Sequence, residues 1–176
     1  MESTTREVRK NMENINVFLE NHRIDELVTY VQHLPKSEQK ETTDYLLSKL
    51  KTSSDGNSRN MLAIILSDLK CQDAVEILME LISKPELENN RGSLVYALEN
   101  LECAKYYKEL LPLLFKGNFE VRMQIYSVMQ NIFPQLCEQE QKWCIDYVER
   151  QLEEYECILS QAYDLYENVI GGELSE

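Results

Sequence analysis

The side chains best suited to metal binding or nucleophilic catalysis are scarce in this chain of 176 residues, which has 2 histidines and 5 cysteines. His22 and His33 stand eleven residues apart, and neither has a second His or a Cys at the spacing of a metal site. The glycine-rich phosphate loop, the serine nucleophile elbow and the zinc-binding HExxH helix are missing as well. We therefore expect no catalytic residue, no metal and no cofactor, and we expect both histidines to lie at the surface beside helix ends.

The cysteines do not form a cross-linking or metal-binding set. Their number is odd and no two of them form a Cys-x-x-Cys pair, which fits neither a disulfide framework nor a zinc knuckle. We expect reduced and mostly buried thiols. Cys71 and Cys103 recur at one position of an internal repeat, so we interpret them as small buried contacts between paired helices, with a redox role as the alternative.

The charges of the chain indicate which classes of partner it does not suit and where its acidic residues are concentrated. The net charge is −13, from 18 basic and 31 acidic residues, and the pI is near 4.7. A chain this acidic lacks the basic residues that neutralise phosphates, so we expect it to bind neither nucleic acid nor anionic membranes. The excess is concentrated near the C-terminus, because residues 135–176 hold 11 acids against 2 bases and therefore −9 of the total.

Most of these acids lie in a segment that the sequence predicts to be helical. Residues 138–170 contain neither Pro nor Gly, so the sequence predicts one acidic C-terminal helix or two helices with a kink between them. Its carboxylates follow at three-, four- or eight-residue steps and form an acidic stripe: Asp146, Glu149, Glu153, Glu156 and Asp164. The opposite face is apolar: Val148, Leu152, Tyr155, Leu159 and Tyr163.

The acidic stripe is either a solvated face or the binding surface for a basic partner, which would relieve the repulsion among its like charges. We favour binding. The candidate partner-binding residues on this helix are four acids and two aromatic anchors: Asp146, Glu149, Glu153, Glu156, Trp143 and Tyr147. Tyr155 and Tyr163 lie on the apolar face, and we expect them to be core residues. A competing surface lies on the second helices of the repeats, at Glu76, Glu80 and Glu109.

Internal repeats indicate how the rest of the chain is built. Residues 58–84 align with residues 90–116 at an offset of 32, with these identities: Arg59/Arg91, Leu62/Leu94, Leu66/Leu98, Leu69/Leu101, Cys71/Cys103, Leu78/Leu110, Leu81/Leu113 and Lys84/Lys116. A third copy starts near residue 118 and places four residues on the same register: Arg122, Ile125, Met129 and Ile132. A fainter copy lies upstream at an offset of 35, with Leu27, Val28, Val31, Leu34, Leu46 and Leu47.

Each copy contains two short segments with apolar residues at i, i+3, i+4 and i+7, which is typical of a helix with one buried face. In the best copy, helices are predicted over 59–70 and 73–83, with Asp73 as the N-cap of the second. A single hairpin cannot bury its apolar stripe, so the copies must stack. Residues 7–20 predict an N-terminal capping helix, with one apolar face formed by Val8, Met12, Ile15 and Leu19.

One arginine recurs in the same register position of three copies: Arg59, Arg91 and Arg122. We expect these arginines to form a ladder that is hydrogen-bonded to a neighbouring loop or carboxylate. A contact with a binding partner is the alternative interpretation.

The pattern from Arg59 to Leu81, Arg-x-x-x-Ala-x-x-Leu-x-x-Leu-x-x-x-Asp-Ala-Val-x-x-Leu-x-x-Leu, resembles the HEAT-like repeat in its short, phycobilisome-lyase-type form. The resemblance covers about residues 24–133. It implies an all-α fold, a right-handed α-solenoid of about four helical hairpins, in a single domain over 1–176 that includes the N-terminal cap and the acidic C-terminal helix. The low content of Gly and Pro, 5 and 4 residues, independently disfavours a β-sandwich.

Residues 89–103, followed by a hairpin and an acidic C-terminal helix, are similar to small HEAT-like immunity proteins of bacterial polymorphic or contact-dependent toxin systems. This resemblance implies a non-catalytic protein that binds a basic cognate toxin domain, a nuclease in our hypothesis, and covers its active site. The alternatives are a general HEAT-repeat scaffold or adaptor with an unrelated partner, and a HEAT-like DNA glycosylase, which needs a basic groove. Because the N-terminus has no secretory signal pattern, we expect a cytoplasmic protein, and we expect it to be a monomer when free.

Overall fold

The computed structural model describes the backbone of residues 2–167 and the side chains of residues 11–167. Within that part of the chain every regular element is helical and no strand is present, which confirms the all-α expectation. The α-helices are α1 (Glu2–Glu20), α2 (Ile24–Gln32), α3 (Lys36–Thr52), α4 (Gly56–Asp68), α5 (Ala74–Ile82), α6 (Gly92–Tyr96), α7 (Tyr107–Leu110), α8 (Leu113–Lys116), α9 (Phe119–Ile132) and α10 (Glu138–Leu165). Short 3₁₀ turns lie at Pro85–Leu87, Ala104–Tyr106 and Phe133–Gln135.

The chain divides into two compact units, Met1–Ile132 and Phe133–Glu176. The first unit contains α1 to α9 and the second contains α10. The sequence left open whether the C-terminal segment is one helix or two. In the structure, α10 is one continuous helix of 28 residues, and the predicted end of this helix, at residues 168–170, lies outside the described residues.

The first helices of the repeat copies are neighbours within the first unit, since α2 contacts α4, α4 contacts α6 and α6 contacts α9. Each of them buries the same register position, which is occupied by Leu27, Leu62, Leu94 and Ile125. The position four residues later in the chain is also buried in all four copies: Val31, Leu66, Leu98 and Met129. Because burial of one Leu side chain is worth about 1.5–3 kcal/mol, these two rows are a main source of stability for the unit.

The ends of α4 show how local side chains set a helix boundary. The Asp55 carboxylate accepts a hydrogen bond of 2.7 Å from the backbone N–H of Ser58, so α4 begins three residues before the predicted start at residue 59. At the other end, Lys70 has φ of +52°, the left-handed conformation that usually follows a helix. The chain therefore reverses direction at Lys70.

The prediction of Asp73 as the N-cap of α5 is confirmed in position, but its side chain makes no capping hydrogen bond. Its backbone angles, φ −64° and ψ −14°, are helical, whereas a capping side chain needs the extended conformation to reach the first free N–H groups. The chain instead enters α5 through a tight turn, in which the N–H of Ala74 donates to the carbonyl of Cys71 at 3.0 Å.

The copy at residues 90–116 is built from shorter helices than the predicted hairpin. α6 ends at Tyr96 and continues as tight turns, in which the N–H of Leu98 donates to the carbonyl of Val95 at 2.9 Å. The second helix is split into α7 and α8 because Pro112, between them, has no N–H to continue the ladder of hydrogen bonds.

The N-terminal helix α1 covers the predicted capping helix at 7–20 and begins earlier, at Glu2. On its predicted apolar face, Ile15 is fully buried, while Met12 and Leu19 are half-buried. Val8 lies outside the described side chains. α1 contacts α2, so its apolar face contributes to the core of the first unit.

Replacing Gly117 with Ala should destabilise the first unit by about 1–3 kcal/mol, because no space for a Cβ exists at the junction of α8 and α9. A Cβ there would lie 2.6 Å from Cγ1 of Val121 and 2.7 Å from the carbonyl oxygen of Leu113. Gly56→Ala is the matched control, since its Cβ would meet only Nη2 of Arg59, at 3.6 Å. Urea unfolding of both variants measures the difference, and equal stability of the two would contradict the packing at Gly117.

Candidate functional site

The two histidines lie at helix ends on the surface, where the sequence analysis expects them. His22 has φ of +54° and closes α1, with the N–H of Arg23 donating to the carbonyl of Phe18 at 3.0 Å. His33 closes α2, and its Nδ1 lies 2.7 Å from the carbonyl oxygen of Thr29. The backbone of His22 and the imidazole of His33 therefore have a role in local structure. Over the described residues, no three His, Cys, Asp or Glu side chains come together as a candidate metal site.

Each recurring cysteine contacts the backbone carbonyl five residues before it, Cys71 through its own backbone and Cys103 through its thiol. The backbone N–H of Cys71 donates to the carbonyl of Leu66 at 2.9 Å, at the end of α4. In the next copy, the thiol of Cys103 lies 3.8 Å from the equivalent carbonyl, that of Leu98. Burial raises the pKa of Cys103 to about 11, and burial followed by the charge of Asp73 raises the pKa of Cys71. Both thiols are therefore poor nucleophiles near neutral pH. The expectation of buried thiols is met by Cys103 and Cys144 only, since Cys71 is half-buried and Cys137 and Cys157 are exposed.

Alkylation with iodoacetamide at about pH 8 should modify Cys137 and Cys157 rapidly and Cys103 slowest, because a thiol with a pKa of about 11 is roughly 0.1% thiolate there. Cys137 and Cys157 are exposed, whereas Cys103 is buried. Peptide mass spectrometry over a time course measures the rates, and the urea-unfolded chain, in which all five thiols should react alike, is the control. Equal reactivity of Cys103 and Cys157 in the folded protein would contradict the burial of Cys103.

The recurring arginines do not form a ladder of three. Arg59 and Arg91 are buried, but Arg122 is exposed because the helix face that carries it is open to solvent in the last copy. Nη1 of Arg91 donates to the carbonyl of Ile82 at 3.0 Å, at the C-terminal end of α5, where carbonyl groups lack partners within the helix. The expected bond to a neighbouring element is thus made by Arg91.

The acidic stripe is present as an exposed face of α10. Its first four residues, which are the predicted partner-binding acids, are all exposed: Asp146, Glu149, Glu153 and Glu156. Asp164 is exposed too. The nearby Arg150 directs its Nε to the backbone carbonyl of Asp146, at 3.1 Å, and its guanidinium lies 5.9 Å from the ring centroid of Tyr147. The structure therefore brings the predicted acids together on one surface.

The two predicted aromatic anchors lie at the start of this surface. Trp143 and Tyr147 are stacked, with ring centroids 5.3 Å apart and an angle of 18° between the rings. Both are half-buried. A stacked and partly exposed aromatic pair offers a rigid contact area with little entropy to lose on binding.

The expectation that Tyr155 and Tyr163 are core residues is wrong, since they are 42% and 68% exposed. Other large apolar residues of α10 and of its C-cap are also exposed: Ile145, Leu152, Ile158, Leu159, Leu165 and, at the C-cap, Tyr166. The physical reason is the composition of the second unit: besides α10, its described residues contain one short 3₁₀ turn, so that unit has no other helix to cover the apolar face.

The competing acidic surface is exposed but less uniform in charge. Glu76 and Glu80 lie one turn apart on α5 and Glu109 lies on α7, and all three are exposed. The carboxylate of Glu76 forms a salt bridge of 3.4 Å with Lys105, and this hydrogen bond raises the pKa of the lysine. Part of the negative charge at this surface is therefore already balanced by a base.

An exposed apolar face on α9, which was not predicted from the sequence, is formed by Phe119, Met123 and Tyr126. Tyr126 is 53% exposed, although it occupies the register position of Ala63 and Val95, which are both 0% exposed. In the earlier copies the first helix contacts the first helix of the next copy, α4 with α6 and α6 with α9. The change from a small residue to a large amphipathic one was the signal available in the repeat alignment.

Comparisons with protein-family models, with curated proteins and with solved structures found no match for this chain. Among the helices of the described residues, none combines the length and apolar character needed to cross a membrane. The site itself defines an all-helical protein with an exposed helix on which an acidic face borders an apolar one. The expectation that these faces lie opposite each other is wrong, since Glu149 and Glu156 lie next to Val148 and Tyr155 on the continuous helix α10.

Proposed function

We propose that this protein is a non-catalytic binding module for a basic protein, with α10 as its contact surface. One observation carries the proposal: along the same length of α10, the acidic stripe and a row of large apolar side chains are both exposed. Exposed apolar area bordered by charge is typical of protein–protein contact sites. The like charges of the stripe favour a partner of the opposite charge.

The finer fold is part of the proposal: α1 to α9 form a right-handed solenoid of about four HEAT-like hairpins. The succession of contacts from α2 to α4, α6 and α9 supports this arrangement, because stacked hairpins bring equivalent helices together. The shared burial of Leu62, Leu94 and Ile125 at one register position supports it as well. Such a solenoid has no chemistry of its own, which agrees with a binding function.

The resemblance of residues 89–103 to HEAT-like immunity proteins narrows the partner to a basic toxin domain, and we propose a nuclease. A nuclease needs a cationic groove for phosphates, and a preformed surface of carboxylates competes for that groove and steers fast association. Trp143 and Tyr147 supply the anchors that lengthen the residence time. In this proposal the protein acts in the cytoplasm, is a monomer when free, and binds neither nucleic acid nor membrane.

The test starts with capture from a lysate of the native host. The baits are the wild-type chain and a variant with Glu149, Glu153 and Glu156 changed to Lys. A basic protein recovered only by the wild-type bait is then purified, and its cleavage of plasmid DNA is measured with and without the chain. A complex with a dissociation constant of about 1 nM is almost fully formed when both proteins are present at equal, higher concentrations. We therefore expect cleavage to be abolished at a 1:1 ratio of the two proteins.

Two outcomes would reject parts of this proposal. Tight binding of a basic protein that has no toxic or nuclease activity would favour the general scaffold or adaptor. Recovery of the same proteins by the wild-type and the charge-reversed baits would remove α10 as the contact surface.

A further inference from the structure

The apolar residues of α10 repeat with the spacing of a coiled coil. Because α10 is continuous, residues at alternating steps of three and four lie along one face: Ile145, Val148, Leu152, Tyr155, Leu159, Ala162 and Tyr166. This alternation is the heptad pattern whose a and d positions insert between the side chains of a second helix. We refer to these residues as the apolar seam.

The apolar seam is open to solvent over most of its length. Leu152 and Leu159 are 52% and 56% exposed, although leucine in a heptad position is normally buried by the other helix. Ile158 and Leu165 lie beside the seam on one flank and are also more than half exposed. The apolar face is therefore wide enough to accept another helix along several turns.

The other flank of the seam is acidic. Glu149 and Glu156 lie next to it and are exposed. In total, residues 145–166 carry six acids and one base. Residues beside a heptad seam select the partner helix by charge, so this flank favours a helix with Lys or Arg at the facing positions.

From this geometry we infer that the apolar seam is occupied by an amphipathic α-helix of a basic protein, with its own apolar residues at three-four spacing and Lys or Arg beside them. The inference rests on the proposed function of α10 and specifies which part of the basic protein docks there. A second copy of this chain is disfavoured by charge. Two copies carry −13 each, and antiparallel pairing would set their acidic flanks against each other.

The experiment uses the full chain and three fluorescent synthetic peptides of about four heptads, the length that gives a stable coiled-coil contact. The first has Leu at a and d and Lys on both flanks. The second keeps the Leu seam and has Glu on the flanks. The third has the composition of the first in a scrambled order. We expect the Lys-flanked peptide to bind at least about tenfold more tightly than either of the others, measured by fluorescence anisotropy.

Variants of the chain locate the contact. Leu152→Gln together with Leu159→Gln should weaken binding of the Lys-flanked peptide at least about tenfold, because the seam loses its two central leucines. Cys157→Gln, an exposed residue on the opposite face of α10, is the matched control and should bind like the wild type. Circular dichroism verifies that each variant keeps the helix content of the wild-type chain, and Gln is chosen because it is a good helix former.

One result would reject the inference alone, and a different result would reject the proposed function as well. Equal binding of the Lys-flanked and scrambled peptides would overturn the helix-docking seam while still supporting attraction of a basic partner to α10. Absence of binding by both basic peptides, together with no basic protein recovered from the host lysate by the wild-type chain, would reject the proposed function as well as the inference. A concentration-dependent dimer in analytical ultracentrifugation that the Leu152→Gln and Leu159→Gln changes abolish would also overturn it, since the occupant would then be a second copy.

Discussion

Changing Glu149, Glu153 and Glu156 together to Lys should slow association with a basic protein partner by at least about tenfold, with most of the effect in the association rate. The three carboxylates are exposed on one face of α10, so they act on the approaching partner through solvent. The fold should be kept, because the change removes like-charge repulsion and no buried group. Stopped-flow mixing with the captured basic protein measures the rate. The wild-type rate should also fall with added salt, since exposed charges are screened over about 8–10 Å at physiological ionic strength.

The matched control for this variant reverses Glu76, Glu80 and Glu109, which changes the net charge by the same amount at a different surface. We expect a smaller effect there, because Glu76 is already paired with Lys105. If the α10 variant associated like the wild type while the control variant lost binding, the contact surface would be the repeats and not α10.

Leu98→Ala should lower the free energy of unfolding of the first unit by about 2–5 kcal/mol, and Leu66→Ala should have a similar effect. Both leucines are at most 1% exposed and occupy the same register position, Leu66 on α4 and Leu98 in the turns just after α6, so truncation leaves a cavity in the core of the first unit. Urea unfolding followed by circular dichroism measures the loss.

Leu152→Ala is the matched control for the core variants, since the same side chain is removed from an exposed position of α10. A surface substitution of this kind usually stays within about 0.5 kcal/mol. Losses below about 1 kcal/mol at both Leu66 and Leu98 would mean that the repeat register is misassigned.

The helices could be predicted because their signal is local. The three-four spacing of Leu62, Leu66 and Leu69 indicates one buried face, and the structure buries Leu62 and Leu66 on α4. Boundaries were predicted less well, since they depend on single side chains and backbone angles. Asp55 starts α4 through one hydrogen bond to Ser58, and the helical angles of Asp73 prevent the cap that its residue type suggests.

The candidate site was predicted in part. Asp146, Glu149, Glu153 and Glu156 fall on one helix face by spacing alone, and a charged face is nearly always exposed. The exposure of Tyr155 was not predictable in this way, because an apolar face looks the same in sequence whether its own chain or another molecule covers it.

The sequence by itself determined the helical class, the acidic character of α10 and the recurrence of Arg, Leu and Cys between residues 58–84 and 90–116. Each of these follows from residue type and from spacing within a few turns. Only the tertiary structure decided which apolar faces remain open, on α9 at Tyr126 and along α10 at Leu152 and Leu159. The physical reason is that burial depends on which residues pack against a side chain. The periodicity of a helix shows that one face is apolar, but it does not show what covers that face.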